Sequence, residues 1–319
     1  MADPIRAFHT AILASLDHAP EHIEPGKLHR FSTSGKRGDL AGWCLLFPDQ
    51  RGGVFGCHRQ GISETWTAKA PATMTMAERA ELARQVAQAT AQRQELQREQ
   101  WAKNRGHMVK LWSECQPLQP GDPVTLYLKR RGLGGLWPLP GCLRLHRALP
   151  YWQEGREFGR FPAMVGPVVA PDGRTVALHR TYLSADGRKA EVSTVKKLTG
   201  AAGPLAGASI PLGKVQGGLI GISEGIETAL AAWAGSGVPT VAAYCANALA
   251  GWQWPADARR IVVFADHDRA GLEAADTLRA RAARAGLRCE IHSPSEPGQD
   301  WADVWQQGQA PVIEAGGAA

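Results

Sequence analysis

The sequence lacks several features that define large classes of proteins. It contains no CxxC pair, because its six cysteines are widely spaced along the 319 residues: Cys44, Cys57, Cys115, Cys142, Cys245 and Cys289. Such spacing argues against a disulfide framework and against a zinc ribbon, so we expect reduced thiols and no structural zinc. Cys44, Cys57 and the adjacent His58 lack a fourth ligand at a suitable spacing, and we interpret them as structural residues.

Long apolar stretches are also missing. No run approaches the length of a membrane span, and the opening residues, MADPIRAFHTAILASL, lack a basic leader and a small-residue cleavage site. We therefore expect a cytoplasmic protein with no membrane partner. No GxxxxGKS/T phosphate-binding loop occurs either, so we expect no ATP-driven helicase activity in this chain.

Charge is present in both signs but is unevenly distributed. The formal net charge is +6, yet residues 122–216 carry 14 Lys and Arg against 6 Asp and Glu, whereas residues 217–319 carry 7 against 12. A basic surface for a polyanion would therefore lie beside a carboxylate-rich region. This asymmetry favours a metal-dependent enzyme that acts on phosphates.

The first third of the chain divides into a β-rich part and a helical part. Residues 24–68 alternate short apolar runs with Gly, Asp and Ser turns, which predicts a small antiparallel module. Residues 75–112 are rich in Ala, Gln, Glu and Arg, which predicts a long connecting helix rather than a coiled coil. An apolar stripe, interrupted at Arg93, runs along it: Leu82, Val86, Ala89 and Leu96.

A second region begins where the segment QPLQPGDP, residues 116–123, ends this helix. VTLYLKRRGL then predicts a short helix, and Asp172-Gly173 between two apolar runs predicts a hairpin within residues 161–183. The region is therefore expected to be a mixed, mostly β, basic domain.

From Gly217 onward, strand-like and helix-like segments alternate: LIGIS, IETALAAWAG, PTVAAYC, IVVFAD, AGLEAADTLRARAARAG and RCEIHS. This alternation predicts an α/β domain with parallel strands and crossover helices. Loops at the carboxyl ends of such strands form ligand sites.

Acidic residues follow two of these strands. Glu224 follows LIGIS, and Asp266 and Asp268 follow IVVFA, so that three carboxylates are expected at one sheet edge. Clustered carboxylates repel one another unless a cation lies among them, and oxygen-only ligands suit Mg²⁺ or Mn²⁺ rather than zinc. Gly225 and Gly271 beside them leave room for close backbone approach, as phosphate sites often require.

Other acids lie nearby in the sequence. Asp300 and Asp303, in GQDWADVW, either share the site or cap a helix, and Asp300 is a further candidate metal ligand. Glu227, one turn beyond Glu224, either supports the site from behind or lies on the helix surface.

The motifs EGIETALAA, VVFADHDRAG and GQDWADVW, in this order on strand ends, resemble the Toprim domain of DNA primases, topoisomerases and some nucleases. Upstream, YLKRRGL, the segment from PAMVGPVV to DGRKAE and the VKKLTG stretch resemble the region before Toprim in primases of plasmids, phages and integrative elements. The resemblance implies a Rossmann-like catalytic domain preceded by a basic mixed α+β domain and a small N-terminal β module.

The resemblance also suggests domain boundaries. We predict a β module in residues 1–73 at the position of the zinc ribbon of related primases, and a connecting helix in 74–116. A basic core subdomain in 117–216 and the Toprim catalytic domain in 217–319 follow. The module lacks the cysteine pairs of a ribbon, so a metal-free module that contacts template is expected.

The activity implied is synthesis of a short RNA primer on single-stranded DNA during replication of a mobile element. Glu224, Asp266 and Asp268 would be catalytic and hold Mg²⁺ or Mn²⁺, and Glu224 is alternatively the proton acceptor. Ribonucleoside triphosphates would be substrates, and a replicative helicase would act in trans. The resemblance places four basic residues in the nucleotide and template groove: Arg180, Lys189, Lys196 and Lys197.

Alternatives remain open for several of these features. A Toprim nuclease would use the same acids with water, and a non-catalytic single-stranded-DNA-binding replication protein would use none of them. A topoisomerase is disfavoured because it needs a longer body and a nucleophilic tyrosine, and only four tyrosines exist. Trp43 and Trp66 are assigned to the core rather than to base stacking. Lys129, Arg130 and Arg131 are template contacts or helix surface.

Overall fold

The computed structural model describes residues 3–35, 39–57, 60–136 and 138–309. The chain forms two compact units, of which the first ends at Glu99 and the second begins at Gln100. The boundary lies within the long helix predicted from the sequence. Among the described residues, no helix is both long and apolar enough to cross a membrane.

The first unit contains helix α1 (Pro4–Leu16) and four strands, β1 (His29–Phe31), β2 (Gly42–Leu46), β3 (Gly52–Cys57) and β4 (Ile62–Thr67). The strands form an antiparallel sheet in the order β1-β2-β3-β4. A 3₁₀ turn at Pro71–Thr73 follows, and helix α2 (Met76–Ser113) then runs into the second unit. The antiparallel module and the long helix expected from the sequence are both present.

Helices cover both faces of this sheet, because the side chains of β2 alternate between them. Cys44 and Leu46 pack with Phe8 and Ile12 of α1 on one face. Trp43 and Leu45 pack on the other face with apolar residues of the α2 stripe: Leu82, Val86 and Ala89.

Arg93 extends the apolar stripe of α2 instead of interrupting it. Its guanidinium carbon lies 4.0 Å from the ring centroid of Trp43, so the planar cation stacks on the aromatic face. Trp43 is buried and Trp66 packs against Phe8, at 5.4 Å between ring centroids, which confirms the assignment of both tryptophans to the core. Leu96, the last residue of the predicted stripe, is exposed.

The cysteines of the first unit are core residues. Cys44 is fully buried, and burial raises the pKa of its thiol to about 12. Cys57 is also buried, and its sulfur lies 3.3 Å from the Thr33 hydroxyl. His58, the third residue of this group, lies outside the described residues.

The second unit begins with an antiparallel sheet. Its strands, in the order β5-β6-β7-β8-β9, are β5 (Gln116–Pro117), β6 (Arg144–Gln153), β7 (Arg156–Val169), β8 (Thr175–Tyr182) and β9 (Lys196–Leu198). Helix α3 (Pro123–Arg130) separates β5 from β6, and Asp122 caps it by accepting a hydrogen bond from the Thr125 amide. The predicted hairpin at Asp172-Gly173 joins β7 to β8, which confirms that turn.

A parallel sheet completes the second unit. Its elements are β10 (Leu219–Ser223), α4 (Ile226–Ser236), β11 (Thr240–Ala242), α5 (Ala246–Gly251), β12 (Arg260–Phe264), α6 (Arg269–Arg284), β13 (Arg288–His292) and α7 (Trp301–Gln306). The strand order is β11-β10-β12-β13, and all pairs are parallel. The α/β architecture predicted for this region is confirmed.

Helix α4 joins the core of the parallel sheet to that of the antiparallel sheet. Its residues Ile226 and Leu230 lie in one buried cluster with Tyr127 of α3 and with Met164 and Val168 of β7. Burying such side chains stabilises by about 1.5–3 kcal/mol each, so this shared core fixes the first turn of α4 against α3 and β7.

Candidate active site

The candidate site lies where the order of the parallel strands reverses. Strand β10 comes first in the chain, and its neighbours β11 and β12 lie on opposite sides of it. Ser223 and Phe264, the last residues of β10 and β12, are directly paired in register. Glu224 and Asp266 follow them, so both acids lie at a topological switch point, where open α/β sheets bind ligands.

Glu224 lies in the turn between β10 and α4. The Tyr244 amide donates a hydrogen bond to its carbonyl oxygen at 2.8 Å, and the Ser223 hydroxyl donates to the Gly225 carbonyl at 3.0 Å. These bonds fix the backbone that carries the carboxylate. Burial raises the pKa of Glu224, and the charge of Asp268 raises it further.

Among the clustered acids of the site, Asp266 has the most strongly raised pKa. Burial raises its pKa to about 7, and the charges of Glu224, Asp300 and Asp268 add to this rise. Its Oδ1 atom is buried and has no hydrogen-bond partner within the described part of the chain. A buried carboxylate oxygen without a donor is destabilising unless a cation or a ligand completes it.

Asp268 is held by the helix that follows it. Its Oδ1 accepts a hydrogen bond from the Gly271 amide at 2.7 Å, which makes it the N-cap of α6. A Cβ at position 271 would lie 2.7 Å from the carbonyl oxygen of Asp266. Gly271 therefore permits a close approach, as predicted, but the group that approaches it is the loop of the two aspartates themselves.

Asp300 reaches this edge because its loop is tied to the Asp266–Asp268 turn. The His267 amide donates to the Gln299 carbonyl at 2.9 Å. Asp300 and Asp303 form a reciprocal capping box at the start of α7, which confirms the capping interpretation of Asp300. Arg131, which directly follows α3, also lies 3.2 Å from Asp303 and 3.8 Å from Asp300. A metal-binding role of Asp300 stays a prediction.

The chemistry of these acids suits a hard divalent cation. The candidate metal ligands are all carboxylate oxygens, and one of them, Oδ1 of Asp266, has no hydrogen-bond partner among the described residues. Within the part of the chain that the structure describes, no three His, Cys, Asp or Glu side chains come together as a ready-made metal-binding group. Asp268 and Asp300 each accept a hydrogen bond from an amide at a helix N-terminus, so one oxygen of each carboxylate is already engaged.

Lys196 lies beside the acids and is oriented by Glu227. Its ammonium nitrogen lies 2.8 Å from the Glu227 carboxylate, which also accepts a hydrogen bond from the Tyr127 hydroxyl at 2.8 Å. Burial alone would raise the pKa of Glu227, but Lys196 and Tyr127 outweigh it and lower the pKa to about 2. The charge of Lys196 also partly offsets the raised pKa values of Glu224 and Asp266.

Glu227 is therefore neither a surface residue nor a member of the acid cluster. It is fully ionised and buried, and it connects α4 with α3 and β9 through Tyr127 and Lys196. In the sequence, only the spacing of Glu227 from Glu224 indicated this role.

The four basic residues predicted to bind nucleotide or template do not lie together. Paired residues of antiparallel strands face the same side, and the register pairs Thr181 with Lys196 and Arg180 with Lys197. Lys196 therefore faces the acids, whereas Lys197 and Arg180 face the opposite side of the sheet. Lys189 is exposed on the connection before β9.

Arg180 and Lys197 have local partners on that opposite side. Arg180 is half-buried and donates hydrogen bonds to the Leu198 carbonyl and to the Tyr182 hydroxyl, so it stabilises the sheet itself. Lys197 lies over the ring of Tyr151, 3.7 Å from its centroid. Of the second basic cluster, Arg130 contacts Asp186, Arg131 contacts the capping box, and Lys129 is exposed.

Two further polar residues line the Lys196 side of β8, and neither stood out in the sequence. His179 and Thr181 are buried. Neither Nδ1 of His179 nor Oγ1 of Thr181 has a hydrogen-bond partner among the residues described. Burial lowers the pKa of His179 to about 4, so its ring is neutral at pH 7. The available signal was the run of three polar residues in LHRTY, residues 178–182, within an otherwise apolar strand.

Comparisons with known domains divide the second unit into two parts. Residues 219–310 match the model of the Toprim domain, and residues 102–209 match a domain of unknown function, DUF7146. The parallel sheet with Glu224, Asp266 and Asp268 is therefore a Toprim domain. No curated protein sequence matches the chain.

Solved structures that the chain resembles include parts of DNA primases. A DNA primase domain from Pseudomonas aeruginosa is 17% identical with a TM-score of 0.31, over 50% of this chain and 52% of that one. The primase fragment of the bacteriophage T7 primase-helicase is 16% identical with a TM-score of 0.36, over 57% and 65%. The Aquifex aeolicus primase, with its zinc-binding and RNA polymerase domains, is 16% identical with a TM-score of 0.33, over 96% and 83%. The chain thus spans between half and two thirds of the first two structures.

Proposed function

We propose that this Toprim-domain protein is a DNA primase that synthesises short RNA primers on single-stranded DNA. The observation that carries the proposal is the placement of Glu224, Asp266 and Asp268 at the switch point of the parallel sheet, with Lys196 beside them. In the proposed reaction the 3′ hydroxyl of one nucleotide attacks the α-phosphate of the next nucleoside triphosphate. Pyrophosphate leaves, so the reaction is a nucleotidyl transfer.

The acids would hold the divalent cation. Glu224, Asp266 and Asp268 are the proposed ligands for Mg²⁺ or Mn²⁺, with Asp300 as a further candidate. Such a cation lowers the pKa of the attacking hydroxyl and neutralises charge on the phosphates. The buried Oδ1 of Asp266 supports this assignment, because it has no hydrogen-bond partner among the described residues.

The basic and neutral polar residues would position the anionic substrate. Lys196, held by Glu227 on the acid side of the sheet, is suited to a triphosphate oxygen. Arg180 supports β8 and β9 from the other side, so we assign it a structural role within the groove region. Lys189 is exposed and is proposed to contact the template backbone.

The proposed partners follow from this reaction. Single-stranded DNA is the template, ribonucleoside triphosphates are the substrates, and a replicative helicase acts in trans. We propose replication of a mobile genetic element as the setting and the cytoplasm as the compartment, since the sequence motifs resemble primases of plasmids, phages and integrative elements.

The decisive experiment measures incorporation of labelled ribonucleotides on single-stranded DNA with Mg²⁺ or Mn²⁺. Wild-type protein is compared with Asp266→Asn and Glu224→Gln, which preserve side-chain size. Asp276→Asn is the matched control, because Asp276 is an exposed acid on α6 that is paired with Arg279. We expect metal-dependent oligoribonucleotides from the wild type and the control, and at least a 100-fold loss in both site variants.

Two outcomes would contradict the primase proposal. Metal-dependent shortening of the DNA without nucleotide incorporation would indicate a Toprim nuclease that uses the same acids. Full synthesis by Asp266→Asn and Glu224→Gln would show that the switch-point acids are not the active site.

A further inference from the structure

The tip of the β6–β7 hairpin, residues 151–160, presents two large aromatic side chains to solvent. Trp152 is 56% exposed and Phe158 is 60% exposed, and they are the only Trp and Phe side chains of the described residues that are this open. Exposed aromatic pairs on one short element are unusual, because large apolar side chains are normally buried or cover a binding surface. The proposed reaction uses neither residue.

The hairpin tip combines a tight turn with a β-bulge. Glu154 and Gly155 adopt φ values of 51° and 80°, as a tight two-residue turn requires. Phe158 is the extra residue of a β-bulge, since Trp152 pairs with Glu157 and Tyr151 with Gly159. A bulge redirects a side chain, and here it leaves Phe158 exposed.

Buried aromatic rings support Phe158 from below. The ring of Phe158 meets Tyr151 edge-on at 6.2 Å, and Tyr151 in turn contacts Tyr182 at 5.0 Å between centroids. Tyr151 is fully buried and its hydroxyl accepts a hydrogen bond from the Thr194 amide. Phe158 is therefore anchored to the sheet core through Tyr151.

Positive charge accompanies the rings. Lys197 donates a hydrogen bond to the Trp152 carbonyl at 2.9 Å, and its ammonium group lies over Tyr151. Arg156 at the turn is exposed and makes no ion pair or hydrogen bond within the described ranges, whereas Arg160 is paired with Glu157. These residues belong to the segment with the excess of basic residues, 14 against 6 acidic ones.

We propose that the hairpin tip is a stacking platform for single-stranded DNA. Bases stack on Trp152 and Phe158, while Arg156 and Lys197 attract the phosphates; aromatic rings interleaved with cations bind unpaired strands in this way. Every base has a π-face, so the platform accepts any sequence. The inference rests on the proposed function in one respect, namely that the bound strand is the primase template.

The test measures binding of a fluorescent single-stranded oligonucleotide in the absence of nucleotides and metal. Trp152→Ala and Phe158→Ala are each expected to weaken binding about tenfold. Trp152→Tyr should retain most of the affinity, and Trp152→Leu, which is apolar but has no π-face, should bind as weakly as the alanine variant. Val109→Ala removes an equally exposed apolar side chain from α2 and should bind as the wild type.

Salt dependence tests the charged part of the platform. Arg156→Gln should reduce the slope of log affinity against log salt concentration by about one, because it removes one phosphate contact. Thermal unfolding of each variant verifies that the sheet is intact.

The results that would overturn the platform are distinct from those that overturn the primase proposal. Binding by both alanine variants equal to the wild type, or no binding of single strands by the wild type, would refute the platform. Full binding by Trp152→Leu would refute it as well, because leucine offers no π-face on which a base could stack. If Asp266→Asn and the wild type bind DNA equally but neither yields primers, the platform stands and the primase proposal fails.

Discussion

The ammonium group of Lys196 and the buried carboxylate of Glu227 connect the antiparallel and parallel sheets of the second unit, with nitrogen and oxygen 2.8 Å apart. Glu227 is only 5% exposed, whereas Lys196 keeps 42% of its side chain accessible. The Glu227 carboxylate is thus buried, whereas part of the Lys196 side chain stays accessible to solvent. This asymmetry suits a lysine that must be fixed in place and still meet an anion.

Loss of this pair should destabilise the protein and impair nucleotide binding together. We expect Glu227→Gln to lower the free energy of unfolding by about 2 kcal/mol, less than a fully buried pair would lose, because Lys196 is partly solvated. Urea denaturation measures this loss, and the KM for nucleotide should rise. Glu273→Gln, which removes an exposed pair with Arg269, should change neither quantity. An unchanged urea midpoint in Glu227→Gln would contradict the buried pairing.

His179 should make the stability of the protein depend on pH. Its pKa is about 4 in the fold against 6.5 in the unfolded chain, so the unfolded chain alone binds the proton between these values. The stability contribution is therefore complete above pH 6.5 and is lost as the pH falls towards 4, with a total of about 3 kcal/mol. Unfolding free energies of wild type and His179→Asn, measured from pH 7.5 to 4, should converge as the pH falls. Parallel curves would show that the pKa of His179 is the same in the folded and the unfolded chain.

The buried charge of Asp266 should destabilise the metal-free protein, and a bound cation should offset this effect. Because its charge is buried beside Glu224, Asp268 and Asp300, Asp266→Asn is expected to stabilise the metal-free protein by about 1 kcal/mol at pH 8. Addition of Mg²⁺ should raise the melting temperature of the wild type and leave that of Asp266→Asn unchanged. Equal stabilisation of both proteins by Mg²⁺ would place the metal elsewhere.

Glycine at position 271 should be essential for the turn that carries the two aspartates. The added methyl group of Gly271→Ala would lie 2.7 Å from the Asp266 carbonyl oxygen, so the turn must shift. We expect a loss of about 2 kcal/mol of stability and of most activity. Gly106→Ala in α2, where a Cβ would meet nothing within 4 Å, should instead stabilise by about 0.5–1 kcal/mol. The opposite signs of the two glycine substitutions can be read from thermal unfolding.

The position of the candidate acids at one sheet edge could be predicted from sequence because its signal is local. An apolar run of five residues followed by Glu224 or by Asp266 places a carboxylate at the end of a buried strand whatever the rest of the chain does. The alternation of strands and helices then brings both ends to one sheet edge. Local pattern and topology agree there, so the prediction needed no knowledge of register.

The basic residues could not be assigned in the same way, because their roles depend on register and burial. Arg180 and Lys197 carry the same charge as Lys196, but only pairing between β8 and β9 shows that they face away from the acids. The β6–β7 hairpin was missed for a related reason. Its turn is Glu154-Gly155, and glutamate at a position with positive φ is not a typical turn signal.

The separation of Lys196 from Lys197 makes β9 intolerant of changes in loop length. Neighbouring residues of a strand point to opposite faces, so a deletion of one residue that slides β9 along β8 would exchange the two lysines. Lys196 would then lie near the ring of Tyr151, and Lys197 would face the acids. Deletion of one uncharged residue would leave the net charge unchanged, and yet each lysine would lie on the wrong face of the sheet.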